Sequence, residues 1–212
     1  MKLIDLTHSI SPKMPVYPGT EPPLFTTGCS IDDNGFLEKK ITLYSHTGTH
    51  IDAPAHLIKG SNTLNMLSIK HFYGKAFLLN LADIKNRTIG IKELGPHRDT
   101  ISQADFLLIY TGWSLYWGDE KYFSDYHVLS SEAADWLSRF GLKGVGFDTI
   151  SADKADTQDF PVHKAFLQKD TIIVENLTNL EKLPCDHFIF SCFPLKFEDA
   201  DGSPVRAVAI IE

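Results

Sequence analysis

Three histidines and one aspartate crowd a single short segment of the chain, at His46, His50, Asp52 and His56. Neutral imidazoles and a carboxylate, with no thiolate beside them, are ligands suited to Zn²⁺, Mn²⁺ or Fe²⁺. Three protein ligands would leave coordination positions open for water, as in catalytic rather than structural metal sites. The residue types and spacing therefore predict a catalytic metal site with His46, His50 and Asp52 as ligands.

The segment has to bend before these side chains can meet at one ion. In a straight strand, a rise of about 3.3 Å per residue would place the two ends about 33 Å apart. A regular helix is disfavoured because Thr47 and Thr49 are poor helix formers, and because Pro54 disfavours helix at the residue before it. Gly48 and Pro54 are therefore predicted to form the two corners.

A separate group must carry out acid–base chemistry, because the zinc-protease signature HExxH is not met. Thr47 stands where that signature has its glutamate base. His56 is the predicted proton carrier, since an imidazole with an ordinary pKa of about 6.5 can take and return a proton at neutral pH. The alternative is that a histidine is an ordinary surface or core residue, and we adopt this interpretation for His8, His71, His97, His127 and His187.

The elements that must position this segment are indicated by four short apolar runs, at residues 76–79, 106–110, 145–147 and 171–174. Runs of this kind, bounded by polar residues or glycine, are typical of buried strands. A helix is predicted to begin at a Ser130 cap and to stop at Gly141, with an apolar face made by Ala133, Ala134, Leu137 and Phe140. This alternation predicts an α/β protein.

Other stretches indicate that the sheet is mixed. Residues 36–44 have a β pattern and lead into the histidine segment, and residues 188–193 are predicted to face 205–211 across a turn at Asp201-Gly202. The proline-rich stretch 11–23 is expected to be an ordered loop. No linker composition interrupts the chain, so residues 1–212 are predicted to form a single domain.

Composition narrows the range of partners. The formal net charge is −7 and the basic residues are scattered, which argues against nucleic acid or an anionic membrane and favours a small-molecule substrate. The three cysteines form no CxxC pair, so we expect no disulfide framework and a reducing cytoplasm. No apolar run approaches the roughly 20 residues of a membrane helix, and no signal peptide is expected.

Residues 46–56, HTGTHIDAPAH, resemble the motif HxGTHxDxPxH of the cyclase family, whose best-known members are bacterial kynurenine formamidases. The resemblance extends over nearly the whole chain. Its further segments are IDLTHSI at 4–10, YPG at 17–19, GFDT at 146–149, PLKF at 194–197 and DGSPVRA at 201–207.

The resemblance implies a swivelling β/β/α fold, assembled as a homodimer or homotetramer. It implies one divalent ion, zinc first and manganese as the alternative, on the three predicted ligands. Asp52 would bridge to a second ion held by His163 and Glu175, and His56 would be the catalytic proton donor and acceptor. Whether one or two ions bind stays open.

The local sequence gives weaker support to the second pair of ligands. Glu175 ends an apolar strand, where an unpaired carboxylate would be costly to bury, so a cation or a hydrogen-bond partner is expected. Without the resemblance, Glu175 would be interpreted as a solvated strand end. His163 would be interpreted as an exposed residue at the start of a helix.

The implied activity is that of a metal-dependent amidohydrolase acting on non-peptide C–N bonds. The first hypothesis is an arylformamidase of tryptophan catabolism, converting N-formyl-L-kynurenine and water into L-kynurenine and formate.

Tyr17 is the predicted substrate-binding aromatic, although kynurenine formamidases commonly have tryptophan there, and Leu57 and Ile150 also depart from the family pattern. The departures at Tyr17 and Leu57 motivate a second hypothesis, a cyclic amide or imide such as isatin, or another small carbonyl compound. A non-catalytic metal- or ligand-binding protein is the third, and it leaves His56 without a purpose.

Overall fold

The computed structural model describes residues 1–211. The strands in this range are β1 (Lys2–Asp5), β2 (Leu24–Cys29), β3 (Glu38–Thr42), β4 (His50–Asp52), β5 (Tyr73–Asn80), β6 (Thr88–Ile89), β7 (Phe106–Tyr110), β8 (Val128–Leu129), β9 (Gly144–Phe147), β10 (Ile172–Glu175), β11 (His187–Ser191), β12 (Gly202–Pro204) and β13 (Val208–Ile211). The α-helices are α1 (Ile31–Asn34), α2 (Ile91–Leu94), α3 (Arg98–Ile101), α4 (Ser131–Leu137) and α5 (Pro161–Leu167). Short 3₁₀ turns cover Pro54–His56, Ile69–Phe72, Gly95–His97, Trp113–Tyr116, Glu120–Phe123 and Leu180–Lys182.

Nine of these strands form one sheet, in the order β1-β13-β11-β5-β7-β9-β10-β4-β12. The central strands β5, β7, β9 and β10 run parallel, and the outer strands pair antiparallel. The four apolar runs of the sequence fall on these central strands. The prediction of an α/β fold with a mixed sheet is therefore confirmed.

Both faces of the central sheet are buried. In β7, Leu107 and Ile109 pack against the helices, whereas Phe106 and Leu108 belong to a second core on the opposite face. Because side chains alternate between faces along a strand, burial on both faces requires a continuous apolar run, which explains why these strands were recognisable in the sequence.

Helix α4 begins as predicted but ends earlier. The Ser130 side chain accepts a hydrogen bond from the Ala133 amide at 3.1 Å, which is the expected cap. The helix ends at Leu137 rather than at Gly141, because the Phe140 amide already turns back to the Leu137 carbonyl in a tighter three-residue turn. Phe140 is therefore outside the helix and only partly buried.

The predicted turn at Asp201-Gly202 is wrong. Strands β11 and β13 do pair, but the chain between them carries β12, which crosses the sheet and pairs with β4. The β12–β4 pairing satisfies backbone groups that a simple hairpin turn would have left to solvent. The consequence for the site is direct, because β12 brings Asp201 to the histidine segment.

Strands β2 and β3 form a separate two-stranded hairpin beside the main sheet, and this hairpin is exposed along most of its length. Its apolar side chains Leu24, Phe36 and Ile41 are each more than half exposed. Among residues 1–211, no helix has the length and hydrophobicity needed to span a membrane.

Candidate active site

The histidine segment folds as a bend, a short strand and a 3₁₀ turn. Gly48 has a φ of +65°, a conformation that glycine adopts freely and that most side chains avoid. Pro54 begins the 3₁₀ turn that ends at His56. Both predicted corners are confirmed, and they bring the ring centroid of His46 to 5.1 Å from that of His50 and 4.0 Å from that of His56.

The sheet register sets the positions of the carboxylates around this segment. In the antiparallel pairing of β4 with β10, His50 lies opposite Glu175. Residues at alternate positions share a face, so His50 and Asp52 point to the same side of the sheet as Glu175. On the other side of β4, Asp52 lies opposite Gly202.

We define the inner cluster as Asp52, His163 and Glu175, all of which are at most 5% exposed. His163 Nε2 lies 3.5 Å from Asp52 Oδ2 and 3.3 Å from Glu175 Oε1. Glu175 Oε1 also accepts a hydrogen bond from the Ala152 amide at 2.7 Å. The interpretations of Glu175 as a solvated strand end and of His163 as an exposed residue are therefore wrong.

We define the outer cluster as His46, His56 and Asp201, whose side chains are 23%, 30% and 46% exposed. His46 Nε2 donates to Asp201 Oδ2 at 2.9 Å, and His56 Nδ1 lies 3.5 Å from the same oxygen. His46 Nδ1 donates to Asp52 Oδ1 at 2.6 Å, and this contact joins the two clusters. Sequence reasoning assigned no role to Asp201, although the segment that contains it was part of the family resemblance.

Two of the predicted ligands have one ring nitrogen occupied by a partner inside the protein. His50 Nδ1 donates to the Gly48 carbonyl at 2.8 Å, which leaves Nε2 facing Asp52 Oδ1 at 3.2 Å. His163 Nδ1 donates to Asp153 Oδ2 at 2.7 Å, which leaves its Nε2 facing the inner carboxylates. Such partners fix which nitrogen is free to ligate a metal.

Asp153 is a further residue that sequence reasoning missed. It is 2% exposed, and besides the His163 ring it accepts hydrogen bonds from the backbone amides of Val162 and His163, each at 3.0 Å. It therefore anchors the start of α5 and orients the histidine that α5 contributes.

The carboxylates of this site shift the pKa values of the histidines beside them. Burial alone would lower the pKa of His46, but the Asp52 and Asp201 carboxylates outweigh it and raise that pKa to about 10. Burial is likewise outweighed at His163, where the hydrogen bond to Asp153 and the nearby carboxylates of Asp52 and Glu175 raise the pKa well above its usual value. At His56 burial dominates and lowers the pKa. Burial would raise the pKa of Asp52, but its histidine neighbours hold it well below the usual range.

The donor set fits a divalent cation. Asp52 Oδ2 is buried and, among residues 1–211, accepts no hydrogen bond, so an oxygen lone pair is left for another partner. One ligand atom from each of His46, His50 and Asp52 lies within 4.8 Å of the others, and the same holds for the inner cluster and for the outer cluster. The remaining histidines of the described chain belong to none of these groups.

A cavity of about 390 Å³ opens onto both clusters. Its wall away from the ligands is largely apolar and includes Val16, Tyr17, Ile150 and Phe160. Tyr17 is 39% exposed, so it is available to a molecule entering the cavity. Leu57 does not line the cavity and packs instead against the core on the helical side of the sheet, so the sequence inference that tied it to substrate choice is wrong.

Two solved structures share this fold over nearly its full length. Isatin hydrolase A from Ralstonia solanacearum is 25% identical with a TM-score of 0.88, and the match covers 100% of this chain and 92% of that one. A structure described as a potential metal-dependent hydrolase with cyclase activity is 28% identical with a TM-score of 0.83, covering 98% and 96%. Together with the site, these matches define the protein as a metal-dependent hydrolase.

The chain belongs to the family described as Putative cyclase, whose model matches residues 4–154. A curated relative, the kynurenine formamidase of Geobacillus thermodenitrificans, is 31% identical over 206 residues, covering 96% of this chain and 95% of the relative. The family resemblance of residues 46–56 is thereby confirmed.

Proposed function

We propose that this protein hydrolyses the amide C–N bond of a small aryl compound, with N-formyl-L-kynurenine as the first candidate substrate. The observation that carries the proposal is the placement of His56 between a buried set of metal-ligating groups and an apolar-walled cavity. The kynurenine formamidase relative supports the choice of substrate.

The reaction requires water to add to a carbonyl carbon and the C–N bond to break. His46, His50 and Asp52 would hold a divalent ion, and His163 and Glu175 would complete a second position that shares Asp52. When bound, such an ion polarises the carbonyl oxygen and lowers the pKa of water. His56 accepts the proton that the attacking water loses and delivers it to the departing amine nitrogen, so that the amine is released together with formic acid, which ionises to formate.

The cavity supports an aryl substrate. Its volume of about 390 Å³ lies near the lower end of small-molecule sites, which suits a single ring with a short side chain. Tyr17 and Phe160 offer aromatic surfaces against which a ring can pack. We therefore propose Tyr17 as a substrate-binding residue.

A cyclic amide or imide such as isatin is the second candidate. The full-length match to isatin hydrolase A favours it. Turnover of N-formyl-L-kynurenine, other arylformamides and isatin should be compared under one set of conditions. A strong preference for isatin would replace the first candidate, and a metal-loaded protein inactive on the whole panel would contradict both.

The proton-transfer role is tested by His56→Ala. We expect turnover to fall about 10²- to 10⁴-fold, the usual range for loss of a general acid–base group, while bound metal is retained. The control is His187→Ala, which removes an exposed histidine that contacts Asp186 away from the site. Unchanged turnover in His56→Ala would contradict the role.

Zinc is the proposed ion and manganese the alternative, because the donors are imidazoles and carboxylates. Elemental analysis of protein purified without added metal tests this choice. The choice would be contradicted if a metal other than zinc or manganese were the most abundant one in the protein. It would also be contradicted if no divalent ion were present at about one ion per chain.

We also propose a homodimer, with the β2–β3 hairpin in the interface. An isolated two-stranded hairpin is marginally stable in water, and this one exposes Leu24, Phe36 and Ile41. Light scattering on a size-exclusion column should give twice the chain mass, and Phe36→Glu with Ile41→Lys should reduce it. A wild-type monomer would contradict the proposal.

A further inference from the structure

A continuous path of hydrogen bonds leads from an aromatic segment to one of the proposed metal ligands. The Tyr122 hydroxyl donates to Asn176 Oδ1 at 2.7 Å, and Asn176 Nδ2 donates to the Gly48 carbonyl at 2.9 Å. The same carbonyl accepts the bond from His50 Nδ1 at 2.8 Å. Each member of this path thus depends on the one before it for its orientation.

The path is closed to solvent. Tyr122 is fully buried, and Asn176 and His50 are 4% and 3% exposed. Water therefore cannot replace a lost partner without rearrangement, and an unpaired donor or acceptor would be left inside the protein. Because the path is buried, loss of one hydrogen bond should disturb the orientation of the groups that remain.

Asn176 is held at this place at a conformational cost. Its φ of +57° lies in the left-handed region, which asparagine tolerates better than most residues but which still disfavours a side chain. A carboxamide both donates and accepts, and here it does both, toward Gly48 and Tyr122. Its backbone carbonyl also accepts from Thr49 Oγ1 at 2.6 Å, so Asn176 contacts the bend of the histidine segment twice.

Tyr122 is itself fixed by neighbouring rings, which we call the aromatic brace, made of Trp113, Trp117 and Tyr122. Trp113 Nε1 donates to the Tyr122 carbonyl at 3.1 Å, and Trp117 packs edge-to-face on the Tyr122 ring. Trp117 also stacks on His8 at 3.8 Å, and the His8 amide donates to Thr49 Oγ1 at 2.9 Å. Two routes from the brace therefore converge on the bend at Gly48 and Thr49.

We infer that Asn176 and Tyr122 are positioning residues for His50. They fix the Gly48 carbonyl, which holds the proton on His50 Nδ1 and leaves Nε2 free toward Asp52 and Glu175. The inference rests on the proposed function in so far as that nitrogen binds a metal ion. The aromatic brace thereby contributes to the site without supplying a ligand.

The test uses two variants that delete one link each. Tyr122→Phe removes only the hydroxyl, and Asn176→Gly removes the carboxamide while suiting the positive φ better than alanine would. Loss of a group that orients a ligating histidine usually weakens metal binding about 10- to 100-fold, and we expect about tenfold for each variant in Zn²⁺ competition with a chromophoric chelator. Because both act along one path, the double variant should bind about as weakly as Asn176→Gly.

The control is Thr171→Val, which deletes another buried hydroxyl, one that donates to the Leu142 carbonyl at 2.9 Å away from the clusters. It should lose stability without losing Zn²⁺ affinity. The Co²⁺-loaded protein supplies a second readout, since its visible spectrum should change in Tyr122→Phe and Asn176→Gly and stay the same in Thr171→Val. Wild-type affinity in both path variants, or an equal loss in the control, would overturn the inference.

A third readout needs no metal. Hydrogen exchange followed by NMR should show a slowly exchanging Nδ1 proton of His50 in the wild type, because this proton is bonded to the buried Gly48 carbonyl, and faster exchange in Asn176→Gly. If the wild type binds no divalent ion, the proposed function fails, and this difference in exchange still decides the inference. Equal exchange of this proton in wild type and Asn176→Gly would overturn it.

Discussion

The inner and outer clusters face the same cavity but are held in different ways. In the inner cluster, His163 is oriented by Asp153, a carboxylate 2% exposed that also accepts two backbone amides. In the outer cluster, His46 is oriented by Asp201, whose side chain is 46% exposed. Water can substitute for Asp201 but has no access to Asp153.

From this difference we infer separate roles for the two clusters, which are joined by Asp52: the inner cluster holds an ion and the outer cluster exchanges protons. A buried set of side chains whose histidine is fixed by a buried carboxylate is preorganised to keep an ion in place. A partly exposed set that includes His56 can exchange protons with substrate and water.

Asp52→Ala should impair both clusters, because Asp52 contacts His163 of the inner cluster and His46 of the outer cluster. Loss of a side chain that only hydrogen-bonds a metal ligand can weaken metal binding by roughly 100-fold. Because Asp52 is itself a proposed ligand, we expect the affinity for a divalent ion to fall by more than this and turnover to become undetectable. Isothermal titration with Zn²⁺ measures the first effect. Asp186→Ala, at an exposed acid far from the site, is the control, and near-normal affinity in Asp52→Ala would contradict the account.

Asp153→Asn and Asp201→Asn compare the two supporting carboxylates by the same change. The first should weaken metal binding about 10- to 100-fold and lower the free energy of unfolding by about 1–3 kcal/mol, because buried donors lose a charged acceptor. The second should lower the free energy of unfolding by less than about 1 kcal/mol, as exposed ion pairs do. Chemical denaturation and Zn²⁺ competition would be run on both variants. Equal effects of the two substitutions would contradict the proposed difference between the buried Asp153 and the exposed Asp201.

Gly202→Ala should perturb the outer cluster more than the inner one. A Cβ at this position would lie 2.6 Å from His46 Cε1 and 2.9 Å from the Ile51 carbonyl, so the His46 ring and the β4 backbone at Ile51 both have to move. We expect turnover to fall about tenfold, as for other changes that misorient a ligand. The chemical shifts of His163 should change less than those of His46, and equal changes at the two histidines would show that the clusters are not separable.

Salt should have the smallest effect and should act on the outer cluster. Raising ionic strength from 0.1 M to 1 M shortens the screening length from about 10 Å to about 3 Å, which weakens the exposed Asp201–His46 pair more than the buried Asp153–His163 pair. Turnover should change by no more than about fivefold, the equivalent of a surface ion pair. The salt dependence should disappear in Asp201→Asn and persist in Asp153→Asn, and the reverse pattern would contradict the assignment.

Local sequence predicted the parts of the molecule that local interactions determine. The central strands were visible as apolar runs, and the bends at Gly48 and Pro54 followed from backbone preferences. The end of α4 was placed too late because the chain tightens into a three-residue turn between Leu137 and Phe140 before it reaches Gly141. Family resemblance, rather than local pattern, supplied His163 and Glu175.

The supporting residues could not be predicted because the fold creates their contacts. Asp201 is 155 positions from His46, and Asn176 is 128 positions from Gly48. Both contacts depend on the order of β10, β4 and β12 in the sheet, and a turn at Asp201-Gly202 in place of β12 would have removed the first. A single carboxylate or carboxamide in a sequence carries no sign of such a partner.

Anomalous diffraction at the zinc absorption edge, from crystals grown with Zn²⁺, tests the central claim most directly. A peak bonded to the Asp52 carboxylate is expected in the wild type and in His56→Ala, and no peak there in Asp52→Ala. An active, zinc-loaded wild-type protein whose anomalous peak lies away from Asp52 would contradict it.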